Sequence, residues 1–179
     1  MNARTLKFAA ASAAMAFLAG CASVSAPAAR PVATATIAPA SGSQISGSAS
    51  FRAIAGGLHL DAVVTGLTPG DHGFHIHEVG DCSAADATSA KGHYNPYAKH
   101  HGSHEHDDHH AGDMPNLTAD ASGKATFSVD LPGLNAGSGE GGILNRAVVI
   151  HADPDDYKSQ PAGNSGKRVA CGVIKAQVD

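Results

Sequence analysis

Along residues 58–64 the apolar side chains Leu58, Leu60, Ala62 and Val64 fall on every second position, with His59, Asp61 and Val63 between them. The same period of two returns at Ala125, Phe127, Val129 and Leu131, which alternate with Lys124, Thr126, Ser128 and Asp130. A strand turns successive side chains to opposite faces, so both runs predict strands with one buried face. Turn-forming residues punctuate the pattern at Thr68-Pro-Gly-Asp71, Asp120-Ala-Ser-Gly123 and Pro132-Gly133. No convincing amphipathic stretch of helical period follows residue 32. The expectation is an all-β domain, built as an antiparallel sandwich or flattened barrel.

A further alternation carries chemistry. At Gly73-Phe-His-Ile-His77 a strand points Phe74 and Ile76 into a core and His75 and His77 together to the other face. Two imidazoles sharing a face are half of a metal site, and neutral imidazole suits copper and zinc. Two stretches, 80–114 and 152–167, are too long and polar for hairpin loops, and long loops in a compact domain usually carry function. The first contains His100-His-Gly-Ser-His-Glu-His-Asp-Asp-His-His110. Taken alone, that tract reads equally well as a solvated, loosely metal-binding run.

Composition narrows the class. A chain of 179 residues supports one domain with a sizeable core, and the absence of Trp with 21 Gly and 9 Pro favours short strands and turns over a helical bundle. A net charge of −4 argues against a nucleic-acid partner, which usually meets a basic patch.

The N-terminus predicts export. Arg4 and Lys7 precede a run of apolar and small residues from Phe8 to Ala19, too short to span a bilayer. Leu18-Ala-Gly-Cys21 resembles the bacterial lipobox, which implies cleavage before Cys21 and lipidation of its thiol; an ordinary secretory cleavage site is the alternative. Cleavage would remove two positive charges and take the net charge from −4 to −6. Residues 22–32 are rich in Ala, Ser and Pro and read as a flexible tether. The expected organisation is a signal segment over 1–20, a tether over 21–32 and a folded domain over 33–179. In an oxidising compartment Cys82 and Cys171 are expected to pair, since Cys21 is committed to lipid; two free thiols or two metal ligands are the alternatives. The closed loop of about 90 residues corresponds to roughly 4–5 kcal/mol in the chain-entropy account.

Gly73-Phe-His-Ile-His-Glu-Val-Gly-Asp-Cys-Ser83 resembles the first signature of the copper/zinc superoxide dismutase family. Gly92-His-Tyr-Asn-Pro96, His110-Ala-Gly-Asp113, Val148-Val-Ile-His151 and Gly163-Asn-Ser-Gly-Lys-Arg-Val-Ala-Cys-Gly172 resemble further segments of that family, in family order. The resemblance implies an eight-stranded Greek-key barrel with two long functional loops. It implies copper held by His75, His77, His93 and His151, and zinc held by His93, His101, His110 and Asp113, one ion of each per subunit. His93 would bridge the two ions and Arg168 would attract the substrate, superoxide. Asp155 would hydrogen-bond one copper histidine and one zinc histidine, with Asp153 and Asp156 as rivals. Four imidazoles suit copper in both oxidation states, and three imidazoles with a carboxylate form the closed set that structural zinc prefers.

The family spacing selects His101 over His100 and His110 over His109, and gives His104 and His106 no role. Those two read as solvated loop residues or as a metal-capturing device, and His59 and His72 read as surface residues. The lipobox, Asp81-Cys82 directly after the ligand strand and a 152–167 loop with Lys158 as its one lysine before Lys167 resemble the bacterial periplasmic branch. That implies an envelope protein anchored by lipid to the outer membrane, with monomer and homodimer both open. A metal-binding lipoprotein on an inactive dismutase-like scaffold is the competing expectation.

Overall fold

The computed structural model describes residues 30–177. The signal segment, the lipidation site Cys21 and most of the tether lie outside the described residues.

Among the described residues ten strand segments form: β1 (Ala33–Pro39), β2 (Ser46–Ile54), β3 (Gly57–Thr65), β4 (Gly70–His72), β5 (Phe74–His77), β6 (Leu117–Ala119), β7 (Ala125–Pro132), β8 (Ala147–His151), β9 (Arg168–Val173) and β10 (Lys175–Ala176). The 58–64 and 125–131 alternations become β3 and β7, paired from Gly57 opposite Pro132 to Val64 opposite Ala125. Leu58, Leu60, Ala62 and Val64 are buried, as are Ala125, Phe127 and Leu131. A single 3-10 turn, Thr88–Ala90, is the one helical element among the described residues.

All strand pairs are antiparallel, in the order β4-β6-β7-β3-β2-β1-β9-β8-β5. The two outermost segments, β4 and β5, are one strand interrupted at Gly73, so the chain itself joins the ends of the sheet. Likewise β9 and β10 are one strand interrupted at Ile174, which reduces ten segments to the eight expected strands. The connections 66–69 and 133–146 each pass over intervening strands, which gives the Greek-key order. Burial closes the barrel: Phe51, Leu58, Leu60, Phe74, Ile76 and Leu131 are almost completely covered. Phe74 meets Phe127 edge-on at 5.3 Å between ring centres, a pair that adds about 0.5–1.5 kcal/mol to the area it buries.

Strands β5 and β8 are buried on both faces. Cross-strand register explains how. Phe74 opposite Ile150 and Ile76 opposite Val148 face the barrel, while His75 opposite Val149 and His77 opposite Ala147 face outward. Outside, Ala40, Ala87, Ala90, Ala147, Val149 and Cys171 form a second, small apolar cluster with Cys82 packed against it. The disulfide Cys82–Cys171 fastens the long loop over this face, with Cα atoms 5.8 Å apart. The histidines therefore sit between a barrel wall and a lid of two loops.

Candidate metal centre

The free edge of β5 orders the long loop. Ile76 donates to the Gly112 carbonyl at 2.9 Å, Tyr94 donates to the Ile76 carbonyl at 2.8 Å, and Glu78 donates to the Gly92 carbonyl at 2.9 Å. These bonds set Asp113 across from His75 and His93 across from His77, as two isolated bridges. The approach is close: a Cβ on Gly112 would lie 2.1 Å from the Ile76 carbonyl oxygen, so only glycine fits there. On the other edge of β8 a bulge between Ile150 and His151 brings Arg168 opposite His151; bulges beside functional sites commonly re-aim a side chain in this way.

Two groups of possible ligands result. His75, His77, His93 and His151 form one and His93, His101, His110 and Asp113 the other; within each, the ligand atoms lie within 4.8 Å of one another, and every residue is buried. His93 belongs to both groups. Its ring lies 3.9 Å from that of His75 and 5.1 Å from that of His77, while its Nδ1 is 2.7 Å from Asp113 Oδ1. The same oxygen lies 3.1 Å from His101 Nδ1 and 3.3 Å from His110 Nδ1. Three ring nitrogens thus converge on one carboxylate oxygen. The other, Oδ2, accepts from the backbone N–H groups of Gly102 and His110.

The outer nitrogens of the rings are fixed by other partners. His75 and His101 donate through Nε2 to the two oxygens of Asp155, at 2.7 and 2.9 Å. His77 donates from Nδ1 to the Lys91 carbonyl at 2.8 Å. His151 points Nδ1 at the Gly166 carbonyl and Nε2 at His77 Nε2, 3.5 Å away. Of the three aspartates at 153–156, Asp155 alone is buried, and it is held by Asn116 on both sides of its backbone.

Charge follows from burial. Desolvation lowers the pKa of His93 to about 4 and of His151 to about 3, and it keeps His75 and His77 below the usual value. These rings are held neutral, the form that binds a metal. Burial pushes His101 the same way, but the Asp113 and Asp155 carboxylates outweigh it and raise the group to about 9. For Asp113 itself burial favours the neutral acid, yet the close imidazoles of His101, His110 and His93 hold it far below the ordinary carboxylate range. A cation placed among these groups would take over the role of that proton.

Whether metal ions fit can be judged from the polar atoms left over. Among the described residues, five buried side-chain atoms lack a hydrogen-bond partner, and four are His75 Nδ1, His93 Nε2, His101 Nδ1 and His110 Nδ1. An unsatisfied buried polar atom costs about 1–3 kcal/mol; four concentrated in two ligand groups are accounted for if each group holds a cation.

Arg168 stands at the rim. Its guanidinium donates to the Ala87 carbonyl at 2.8 Å, and with Ser41, Asp86, Thr88, Gly166 and Lys167 it lines a depression of about 380 Å³. None of the clustered histidines lines that depression; it borders the centre through Gly166, whose carbonyl faces His151 Nδ1, and through Arg168 opposite His151.

The seven ligand candidates come together with Asp155 beside them, and Arg168 stands opposite His151. One expectation fails: His72 is buried, not on the surface. Its Nδ1 donates to the backbone carbonyl of His151 at 2.8 Å, and its Nε2 lies 3.1 Å from the Thr68 hydroxyl. It carries no ligand motif, and its position just before the break between β4 and β5 turns it inward. His59 is half-exposed and bonded to Asp130 at 2.5 Å. Asn116 and the carbonyls of Lys91 and Ala87 also escaped the sequence reading; main-chain acceptors leave no trace in residue type.

A family model described as copper/zinc superoxide dismutase matches residues 45–174. Superoxide dismutase (Cu-Zn) 2 of Aquifex aeolicus is 44% identical over 74% of this chain and 80% of its own length. A second protein of that organism, superoxide dismutase (Cu-Zn) 1, is 50% identical over 57% of this chain and 63% of its own. Superoxide dismutase (Cu-Zn) of Deinococcus radiodurans is 40% identical over 74% of this chain and 79% of its own. The crystal structure of a SOD-like protein from Bacillus subtilis superposes with a TM-score of 0.70 at 35% identity, covering 78% of this chain and 95% of that one. A double mutant of the same protein gives 0.72 at 36%, covering 80% and 97%. With the barrel, the paired ligand groups and these relatives in agreement, the chain belongs to the copper/zinc superoxide dismutase family.

Proposed function

We propose that the protein converts superoxide to oxygen and hydrogen peroxide, with copper at His75, His77, His93 and His151 and zinc at His93, His101, His110 and Asp113. The observation that carries this reading is the membership of one imidazole, His93, in two buried ligand groups, in which four ring nitrogens have no hydrogen-bond partner. Copper so held would supply one-electron exchange in both directions, and zinc would fix the shared ring.

The chain's own groups do the rest. Superoxide is an anion and the protein is net negative, so attraction must be local. Arg168 supplies it as a permanent cation, oriented by the Ala87 carbonyl and joined at the rim by Lys167. While its Nε2 is not engaged by copper, His93 would hold a proton there and pass it to the peroxide as it forms; the second proton would come from solvent. Asp155, bonded to His75 and His101, keeps a ring of each group in its ligand orientation.

The test is dismutation by the copper- and zinc-loaded protein. Loss of the Arg168 cation (Arg168→Ala) should lower the rate by about tenfold or more and flatten its dependence on salt. His93→Ala should abolish the excess over free copper. The competing reading, a metal-binding scaffold without activity, draws on the His-rich loop; it is sustained only if the loaded protein is no faster than free copper and Arg168→Ala changes nothing.

The cellular setting is part of the proposal. A lipobox at Leu18–Cys21 supports export to the periplasm with a lipid anchor at Cys21, placing the enzyme where envelope superoxide is removed. Cell fractionation checks it: the full chain should follow the membranes and Cys21→Ala should not. Recovery of the unaltered chain in the soluble fraction would rule the anchor out.

A further inference from the structure

The fifth buried, partnerless side-chain atom lies outside the dismutase centre: it is Nδ1 of His104, on the loop between β5 and β6. By the same criterion that singles out His75, His93, His101 and His110, this nitrogen requires a partner. A second imidazole stands beside it. The rings of His104 and His109 stand 5.5 Å apart at 57° to each other. That separation matches those of His93–His110 at 5.5 Å and His101–His110 at 5.6 Å, pairs that belong to one ligand group.

His109 is set up to bind as well. Its Nδ1 donates to the His110 carbonyl at 2.6 Å, which puts the ring proton on that nitrogen and leaves the lone pair on Nε2. A hydrogen bond on one imidazole nitrogen that frees the other is the usual arrangement behind a metal-bound histidine. Both rings line a cavity of about 90 Å³, backed by Ala111, Leu131, Pro132 and Leu134. The ammonium of Lys99, which also lines it, is engaged with the Asp107 carbonyl. The other histidines of the tract are differently placed: His106 is exposed, and His100 is exposed and paired with Asp108.

We propose that His104 and His109 form a third, peripheral metal site, which takes a divalent copper ion with two imidazoles and water as its ligands. Copper is favoured over zinc because it stands highest in the divalent affinity order and two imidazoles with water suit its tetragonal geometry. With two protein ligands in place of four, the site is expected to bind more weakly than the main centre and to exchange its ion readily. The proposal does not depend on the dismutase reading, since its test reads binding rather than catalysis.

The experiment begins with mature protein already holding one copper and one zinc, titrated with copper(II) and followed by equilibrium dialysis and electron paramagnetic resonance. A third equivalent should bind and give a second copper(II) signal with nitrogen coupling. His104→Ala and His109→Ala should each weaken that uptake at least about tenfold, a loss that even an outer partner of a metal-bound imidazole can command. His104→Gln should do the same while leaving a polar side chain in the cavity. His106→Ala should keep the third equivalent, and dismutation by His104→Gln should equal that of the unaltered protein. Absence of a third equivalent, its persistence in both the His104 and His109 variants, or equal loss in His106→Ala would each overturn the proposal.

Discussion

At the scale of single residues, the centre depends on atoms that face away from it. Asp155 accepts from His75 in one ligand group and from His101 in the other, so one buried carboxylate orients both. In Asp155→Asn one of the two ring N–H groups would meet an amide NH2 in place of an acceptor. Zinc affinity, measured by competition with a chelator, should fall about 10–100-fold, as it does when such outer partners are lost. An unchanged affinity would mean that the two imidazoles need no orienting. The ligand residues themselves were legible in the sequence because metal chemistry restricts them to histidine and aspartate at spacings that recur in the family. His72 was not: its partners are the His151 carbonyl and Thr68, and nothing in its neighbourhood of sequence distinguishes a buried histidine from an exposed one.

Elements were legible where one face is buried and the other wet. Strands β3 and β7 showed themselves by their period of two, and they pair along eight consecutive positions. Strand β8 is buried at all five residues, covered by the barrel on one face and by loops on the other, so its apolar run carried no period. Strand β6, three residues long, is too short to show one, and β1 alternates mostly through Ala and Thr, whose contrast in polarity is small. The loop geometry was invisible altogether. Lys91 adopts φ 60° and ψ −148°, a region that costs a non-glycine residue about 1–3 kcal/mol. The strain is borne where the Lys91 carbonyl is aimed at His77 Nδ1. Lys91→Gly should relieve it, offset in part by the freedom glycine gains when unfolded, for a net gain of about 1 kcal/mol. The melting temperature of the protein should then rise by about 2–4 °C. A fall would show that the lysine side chain contributes more than its backbone costs.

For the molecule as a whole, the barrel and the centre are joined by one covalent link. Cys82 and Cys171 are separated by 89 positions, and a loop of that size limits the unfolded chain enough to contribute about 4–5 kcal/mol. The same link has a second consequence. Cys171 lies three residues beyond Arg168 on β9, and Cys82 opens the segment that carries Ala87, whose carbonyl holds the Arg168 guanidinium. Replacing both cysteines by serine should therefore act on stability and on rate separately. Thermal unfolding should move down by roughly 10 °C, from the lost stabilisation and the usual response of a domain of this size. Well below that transition the metal content should be unchanged, because no ligand lies between Cys82 and Ala87. The rate should nevertheless fall, and lose some of its salt dependence, as Arg168 is no longer held over the approach. If the serine variant melts early yet keeps the full rate and salt dependence, the disulfide serves the barrel alone and the guanidinium is positioned by β9 without help.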